Sequence, residues 1–133
     1  LFSYIIYITI QLNILLVEDN ILNQKVVTFN LKKYNYGVTS VKDGTEALEA
    51  IKTGDYSLVL MDLMLPGMNG YEITGAIRKY EKENDIKEQI PIIAITANTL
   101  DNDREKCLKV GMNEYLPKPF TAEQLIEKIR IFI

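Results

Sequence analysis

Five side chains capable of phosphorus chemistry stand at separate points of the sequence: Glu18, Asp19, Asp62, Thr96 and Lys118. A carboxylate can act as a nucleophile toward phosphorus and retain the group as an acyl phosphate. The protein's part in such a transfer is mainly positioning and neutralisation of charge on the phosphoryl oxygens. Lys118 offers a point charge for that purpose, and Thr96 an uncharged hydroxyl donor. Three carboxylates cannot share a site without help. At ~4 Å and an effective dielectric of ~20, each pair costs roughly 4 kcal/mol, so a pKa must rise or a cation must sit among them. Hard oxygen ligands that leave room for water and phosphate oxygens suit Mg²⁺. Taken singly, each residue has a plainer reading. Glu18-Asp19-Asn20 is a helix-capping run, Asp62 a turn residue, and Lys118 between Pro117 and Pro119 a surface lysine. Only their convergence would make them a site.

Convergence depends on the elements that carry them. Short apolar runs alternate with helical patterns along the chain. Asn13 to Val17 reads as a strand, and Leu22, Val26 and Phe29 then recur at i, i+4, i+7, the spacing of one helix face. Gly37 punctuates that helix, and Val38 to Val41 reads as a second strand. Asp43-Gly44 opens a helix with Ala47, Leu48 and Ile51 inward, closed by Gly54. Leu58 to Met61 is a continuous apolar run, as expected of a strand buried on both faces. Turn signals at Pro66-Gly67 and Asn69-Gly70 lead into a helix from about Tyr71 with Ile73, Ala76, Ile77 and Tyr80. Glu81 to Gln89 reads as its fraying end and a loop. Ile92 to Ile95 is a fourth buried strand. A helix from about Leu100 to Val110 ends at Gly111. Glu114 to Leu116 is a short fifth strand, and Thr121 is an N-cap for a last helix with Leu125, Ile126, Ile129 and Phe132.

This alternation predicts an α/β fold: a single doubly wound domain whose five-stranded parallel sheet is covered on both faces by five helices. In such sheets the ligand site lies beyond the carboxyl ends of the strands. Glu18 and Asp19 follow the first strand, Asp62 the third and Lys118 the fifth, while Thr96 ends the fourth. The topology therefore gathers them at one edge.

Composition narrows the function further. The chain has 133 residues, a net charge of −3, one cysteine and no histidine. No basic excess exists to neutralise phosphates, so direct nucleic-acid binding is not expected. The lone Cys107 excludes an internal disulfide and fits a reducing compartment. Lack of histidine excludes a Ser-His-Asp triad, an imidazole-based zinc site and any phosphohistidine formed within the chain. If phosphorus chemistry here involves a histidine, that histidine belongs to a partner. The first ten residues, LFSYIIYITI, include eight apolar ones, too few for a membrane span of about 20 residues. They lack a positive flank and a cleavage site, so they do not read as a signal peptide. Residues 1–11 are expected to be an N-terminal extension of undefined role and residues 12–133 the folded domain.

From Leu12 to Ile133 the chain resembles the receiver domains of response regulators in two-component signalling. The motifs that carry the likeness are ILLVEDN (14–20), LVLMDLMLPGMNG (58–70), PIIAITA (91–97) and YLPKPF (115–120). The resemblance implies a flavodoxin-like sheet in the order 2-1-3-4-5. It implies that Asp62 is the phospho-acceptor, that Asp19 binds Mg²⁺ directly with Glu18 acting through water, and that the Met64 backbone carbonyl is a further ligand, with Mn²⁺ an accepted substitute. Thr96, Lys118 and the Ala97 backbone N–H would contact the phosphoryl group. Tyr115 occupies an aromatic switch position, answering Thr96 and remodelling the face formed by the fourth helix, fifth strand and fifth helix. Met64 and Asn98, two residues after Asp62 and Thr96, stand where the family modulates phosphoryl lifetime. Met64 cannot activate water, which points to a longer-lived adduct.

The implied partner is a histidine kinase or a histidine phosphotransfer domain. Glu18-Asp19-Asn20 followed by Asn23 resembles receivers of hybrid histidine kinases. A cytoplasmic setting is expected, either free or as the cytoplasmic part of a membrane-bound kinase, with no membrane contact by the domain itself, as a monomer or weak homodimer. No output domain is expected after the last helix; a stand-alone receiver, or one cut from a DNA-binding regulator, is the alternative. Two other classes compete: a fold-retaining interaction module, which usually loses one of the five residues, and a turnover phosphatase, which commonly has a second carboxylate where this chain has Met64. The domain is thus expected to be a switch with weak self-directed phosphotransfer and autodephosphorylation, not an enzyme.

Overall fold

The computed structural model describes residues 11–97 and 103–133. Five strands alternate with five helices: β1 (Asn13–Val17), α1 (Ile21–Lys33), β2 (Gly37–Val41), α2 (Gly44–Thr53), β3 (Leu58–Asp62), α3 (Gly70–Glu83), β4 (Ile92–Thr96), α4 (Asp103–Val110), β5 (Glu114–Pro117) and α5 (Ala122–Arg130). The sheet is parallel throughout, in the order β2-β1-β3-β4-β5. The expected fold class and strand order are both present. Residues 1–10, Asn98 and the Leu100 start of α4 lie outside the described residues.

Local chemistry sets the helix starts. Asn20, Asp43, Asn69 and Thr121 each accept a hydrogen bond from the backbone N–H three residues on, at 2.9, 2.9, 2.9 and 3.1 Å. Each thereby satisfies one of the orphan donors of a first turn. Asn69 and Thr121 complete reciprocal capping boxes with Glu72 and Gln124. Gly111 ends α4 with φ of 105°, a left-handed conformation open to glycine.

Strand side chains alternate between two buried layers. Leu15, Val17, Val59, Met61, Ile92 and Ala94 pack under α2, α3 and α4 with Ala47, Ile73, Ile77 and Cys107. Ile14, Leu16, Leu58, Leu60, Ile93 and Ile95 pack under α1 and α5 with Val27, Leu31, Leu125, Ile126 and Ile129.

Three sequence readings need correction. The apolar spacing on α1 marks its solvent face: Leu22 is 69% exposed and Phe29 68%, with Val26 and Ile21 exposed beside them, while Val27 and Leu31 make the core contact. Periodicity identifies a helix face but not the side on which the sheet lies. Phe29→Ala is therefore expected to change stability by no more than about 0.5 kcal/mol, read from the urea midpoint at constant m. Gly37 is not the helix terminator but the first residue of β2. The turn before it uses Asn35 at φ 69°, and a Cβ on Gly37 would meet the Asn13 side-chain amide. Finally, α3 does not fray at Glu81. It continues to Glu83, and Glu81 is buried. Its carboxylate accepts from Arg78 Nη1 at 2.7 Å and from Ile90 N–H at 2.7 Å. Arg78 also donates to Gly111 O at 2.9 Å and to Asn113 Oδ1 at 3.0 Å. Asn113 Oδ1 in turn receives Ile92 N–H at 2.9 Å. The network joins α3, the start of β4 and the α4–β5 turn.

Candidate functional site

At the carboxyl edge of the sheet, the ends of β1, β3, β4 and β5 meet. The Glu18 backbone N–H donates to Val41 O at 3.0 Å, which extends the β1–β2 pairing by one residue and turns the Glu18 side chain inward. Its carbonyl accepts the side-chain amide of Gln24 from α1. Asn20 then starts α1, leaving Asp19 exposed between a buried acid and a helix cap. Asp62 is the last residue of β3 and is buried, with Oδ1 accepting from Met64 N–H at 3.0 Å. The loop after it returns closely because residue 70 is glycine. A Cβ there would stand 2.6 Å from Asp62 O and 2.9 Å from Leu63 Cα.

Thr96 ends β4 with no exposed surface, and its carbonyl accepts Lys118 N–H at 2.8 Å. That bond carries β5 one residue on and aims the lysine at the acids. Lys118 Nζ lies 2.8 Å from Glu18 Oε1 and 3.4 Å from Asp62 Oδ2. Of its two acidic contacts the shorter is with Glu18. Glu18, Asp19 and Asp62 each offer a carboxylate oxygen, all within 4.8 Å of one another. The three acids and the ammonium are therefore brought to one place, and Thr96 ends the adjacent strand.

The electrostatics divide the acids. Burial pushes the Asp62 carboxyl up to about 6; Met64 N–H and Lys118 oppose this, and Glu18 adds to it. Burial also pushes Glu18 upward, but hydrogen bonds from Lys118 and Asp62, with the lysine charge, outweigh it and hold Glu18 below its usual value. For Lys118, burial disfavours the charge while the two acids favour it, and the acids win. One ammonium thus compensates Glu18 and leaves Asp62 short of positive charge. The donor set is all hard oxygen and carries surplus negative charge, which fits a Mg²⁺-sized cation.

Tyr115 is half-buried on β5. It packs with Tyr71 against the layer that contains Cys107, opposite Ala94 in the register and on the same sheet face as Thr96. Ala97 lines an apolar cleft of about 430 Å³ with Asn23, Val26, Val27, Asn30, Lys118, Pro119 and Phe120. Sequence reasoning missed this cleft and the outward face of α1 that runs into it. The signal was present in Leu22, Val26 and Phe29, but it was compatible with either side of the helix.

Among the described residues no helix is long and apolar enough to cross a membrane. The description of the response regulator receiver domain matches residues 14–130. Hybrid signal transduction histidine kinase B of Dictyostelium discoideum is 44% identical over 125 residues, covering 88% of this chain and 6% of that protein. Peroxide stress-activated histidine kinase mak2 of Schizosaccharomyces pombe is 39% identical over 122 residues, covering 90% of this chain and 5% of that protein. The chain thus spans a small part of these relatives. Among solved structures, the receiver domain of a Pseudomonas aeruginosa sensor histidine kinase, with a magnesium ion coordinated in its active site cleft, has a TM-score of 0.81 at 42% identity, over 92% of this chain and 98% of that one. The Saccharomyces cerevisiae response regulator Ssk1 receiver domain, co-crystallised with the histidine phosphotransfer protein Ypd1, has a TM-score of 0.85 at 35% identity, over 92% of this chain and 88% of that one.

Proposed function

The chain belongs to the response-regulator receiver family, and from that premise we propose that residues 12–133 form a receiver in which Asp62 takes a phosphoryl group from a histidine on a partner. The observation that carries this is the position of Asp62: buried at the tip of β3, short of positive charge, with Lys118 and two further acids around it. An Asp62 carboxylate oxygen forms the new bond to phosphorus as the bond to the partner's imidazole nitrogen breaks, and the imidazole leaves with that electron pair. Lys118 and Thr96, with the Ala97 N–H, receive the phosphoryl oxygens. Glu18, Asp19, Asp62 and the Met64 carbonyl would hold Mg²⁺, with Mn²⁺ as a substitute. Bound there, the metal neutralises phosphoryl charge. The group stays on the domain. Met64 places no carboxylate beside it, which supports slow self-directed hydrolysis over multiple turnover.

The test is covalent. Incubation with Mg²⁺ and acetyl phosphate should add one phosphoryl group, mapped to the peptide containing Asp62. No addition, or addition elsewhere, would favour an interaction module. Asp19→Asn should weaken Mg²⁺ binding at least tenfold, about 1.4 kcal/mol, in a calorimetric titration; affinity equal to wild type would remove Asp19 from the ligand set.

The exposed α1 face supports a histidine phosphotransfer domain, or the equivalent domain of a kinase, as the donor. Ile21, Leu22, Val26 and Phe29 are exposed on α1, and Val26 lines the cleft that Lys118 also lines, so a donor docked on this face lies beside the site. Phe29→Ala, neutral for folding, should slow transfer from a phosphorylated donor domain at least tenfold while leaving labelling by acetyl phosphate unchanged. Read-out is assigned to α4, β5 and α5, which Glu114 joins through Arg104 at 3.2 Å and Lys128 at 3.3 Å.

A further inference from the structure

The stretch from Arg78 to Gln89 holds four cations and four acids, and the fold sorts them. Arg78, Lys79, Lys82 and Lys87 line one cleft of about 780 Å³, whose described lining includes no carboxylate. Glu81 is buried against the Arg78 guanidinium at 2.7 Å. Glu88 lines a neighbouring cleft with Asp55 and Lys52. Glu83 comes no nearer to Lys79 than 3.8 Å, with both side chains largely in solvent, a contact worth little. Lys82 and Lys87 have no ion-pair partner among the described residues. Surplus positive charge is thus gathered at one place on a chain whose net charge is −3. Lysines near the carbonyl end of a helix also complement its dipole. That accounts for Lys82 in the last turn of α3, but not for Lys87, which lies beyond the helix.

The cleft has a fixed polar floor and an apolar wall. Arg78 is immobilised by Glu81, Gly111 O and Asn113 Oδ1. Asn113 Oδ1 is taken by Arg78 and by the Ile92 N–H, so the amide nitrogen of Asn113 keeps its donors for something else. Gln89 adds a second side-chain amide to the lining. The wall is Ile86. α3 closes with Asp85 at φ 53° and with the Ile86 N–H returning to Glu81 O at 2.9 Å, the pattern of a Schellman turn. That closure pins the Ile86 backbone and leaves the residue 41% exposed. Asn113 and Ile92 place the cleft at the amino ends of β4 and β5, the edge of the sheet opposite Asp62.

We propose that this cleft docks an acidic peptide segment of a partner: carboxylates of the segment meet Lys79, Lys82 and Lys87, its backbone carbonyls meet the amides of Gln89 and Asn113, and an apolar side chain packs on Ile86. Recognition of acidic motifs by clustered cations is a recurring mode of peptide binding. A small anion would satisfy the lysines and leave both amides and Ile86 unused, so an extended peptide is the better complement. A segment held at this edge leaves Asp62 open to its donor. The docking site stands independently of the phosphoryl chemistry.

The test is fluorescence anisotropy on the full chain at about 0.15 M salt, where long-range attraction is screened. The probe is a labelled synthetic peptide of about twelve residues, glutamates interrupted by leucine. Lys82→Glu/Lys87→Glu should weaken binding at least tenfold. Lys106→Glu/Lys109→Glu, which makes the same change in net charge on the exposed side of α4, should weaken it less than twofold. Ile86→Ser should weaken it at least threefold. No binding by wild type at about 0.1 mM peptide, or equal losses in the two charge-reversal pairs, overturns the proposal, the second as a general charge effect. Unchanged affinity in Ile86→Ser, or displacement of the probe by tripolyphosphate at a lower concentration than by unlabelled peptide, assigns the cleft to a small anion and rejects the peptide. Should the Lys82→Glu/Lys87→Glu pair fail to fold by circular dichroism, Lys82→Gln/Lys87→Gln decides: a loss of at least threefold upholds the site, and a smaller one rejects it.

Discussion

Asp62→Asn should abolish phosphoryl acceptance and at the same time stabilise the metal-free fold. The first effect follows from loss of the nucleophile. The second follows from electrostatics, because burial raises the Asp62 carboxyl from 3.8 to about 6. Between about pH 4 and 6 the folded protein keeps a proton that the unfolded chain has released. Stability therefore falls as pH rises through that window and stays lowered above it. The shift corresponds to about 3 kcal/mol at neutral pH. Glu18 works in the opposite sense: its lowered value contributes stability that is complete above its ordinary range and lost on acidification. In EDTA, wild-type urea midpoints should decline from pH 4.5 to 6.5, while those of Asp62→Asn should not and should lie higher at pH 7.5. Millimolar Mg²⁺ should narrow the gap by stabilising wild type alone. A variant less stable than wild type at pH 7.5 in EDTA would contradict this electrostatic account.

Arg78→Ala should cost about 3–5 kcal/mol, the range for removing one partner of a buried ion pair. The Arg78 and Glu81 side chains are 12% and 4% exposed. Removing the guanidinium leaves the Glu81 carboxylate with the Ile90 N–H alone and strips Gly111 O of its donor. The double variant Arg78→Ala/Glu81→Gln should recover part of the loss, because the amide leaves no unpaired charge. Equal urea midpoints for Arg78→Ala and wild type would mean that the network adds no net stability. Phosphorylation of Asp62 should survive, since the network lies away from the acid cluster.

The sheet and the acidic site were legible in the sequence for a physical reason. Strands buried on both faces must be continuous apolar runs, and their ends locate Glu18, Asp62, Thr96 and Lys118 without knowledge of distances. The turn chemistry of Asp43 and Thr121 was readable because capping is local. Orientation and pairing were not local. The stripe Leu22, Val26, Phe29 was visible, but whether it faced sheet or solvent depended on packing. Glu81 read as fraying because its cation, Arg78, and the Ile90 N–H it accepts give no sign in sequence that they come together. The preference of Lys118 for Glu18 over Asp62 likewise depends on side-chain reach across 100 residues.

The two apolar layers share no side chain, since alternate residues of each strand serve opposite faces. The proposed donor surface on α1 lies over one layer, and α4 with Tyr115 lies over the other. Choice of input and the part of the output carried by α4 and Tyr115 are thus written on separate sides of a common partition, while α5 shares the α1 side. Substitutions on the two sides should combine additively, so a receiver of this kind could be rewired to a new donor by altering α1 with its response left intact, or given a new response with its donor kept.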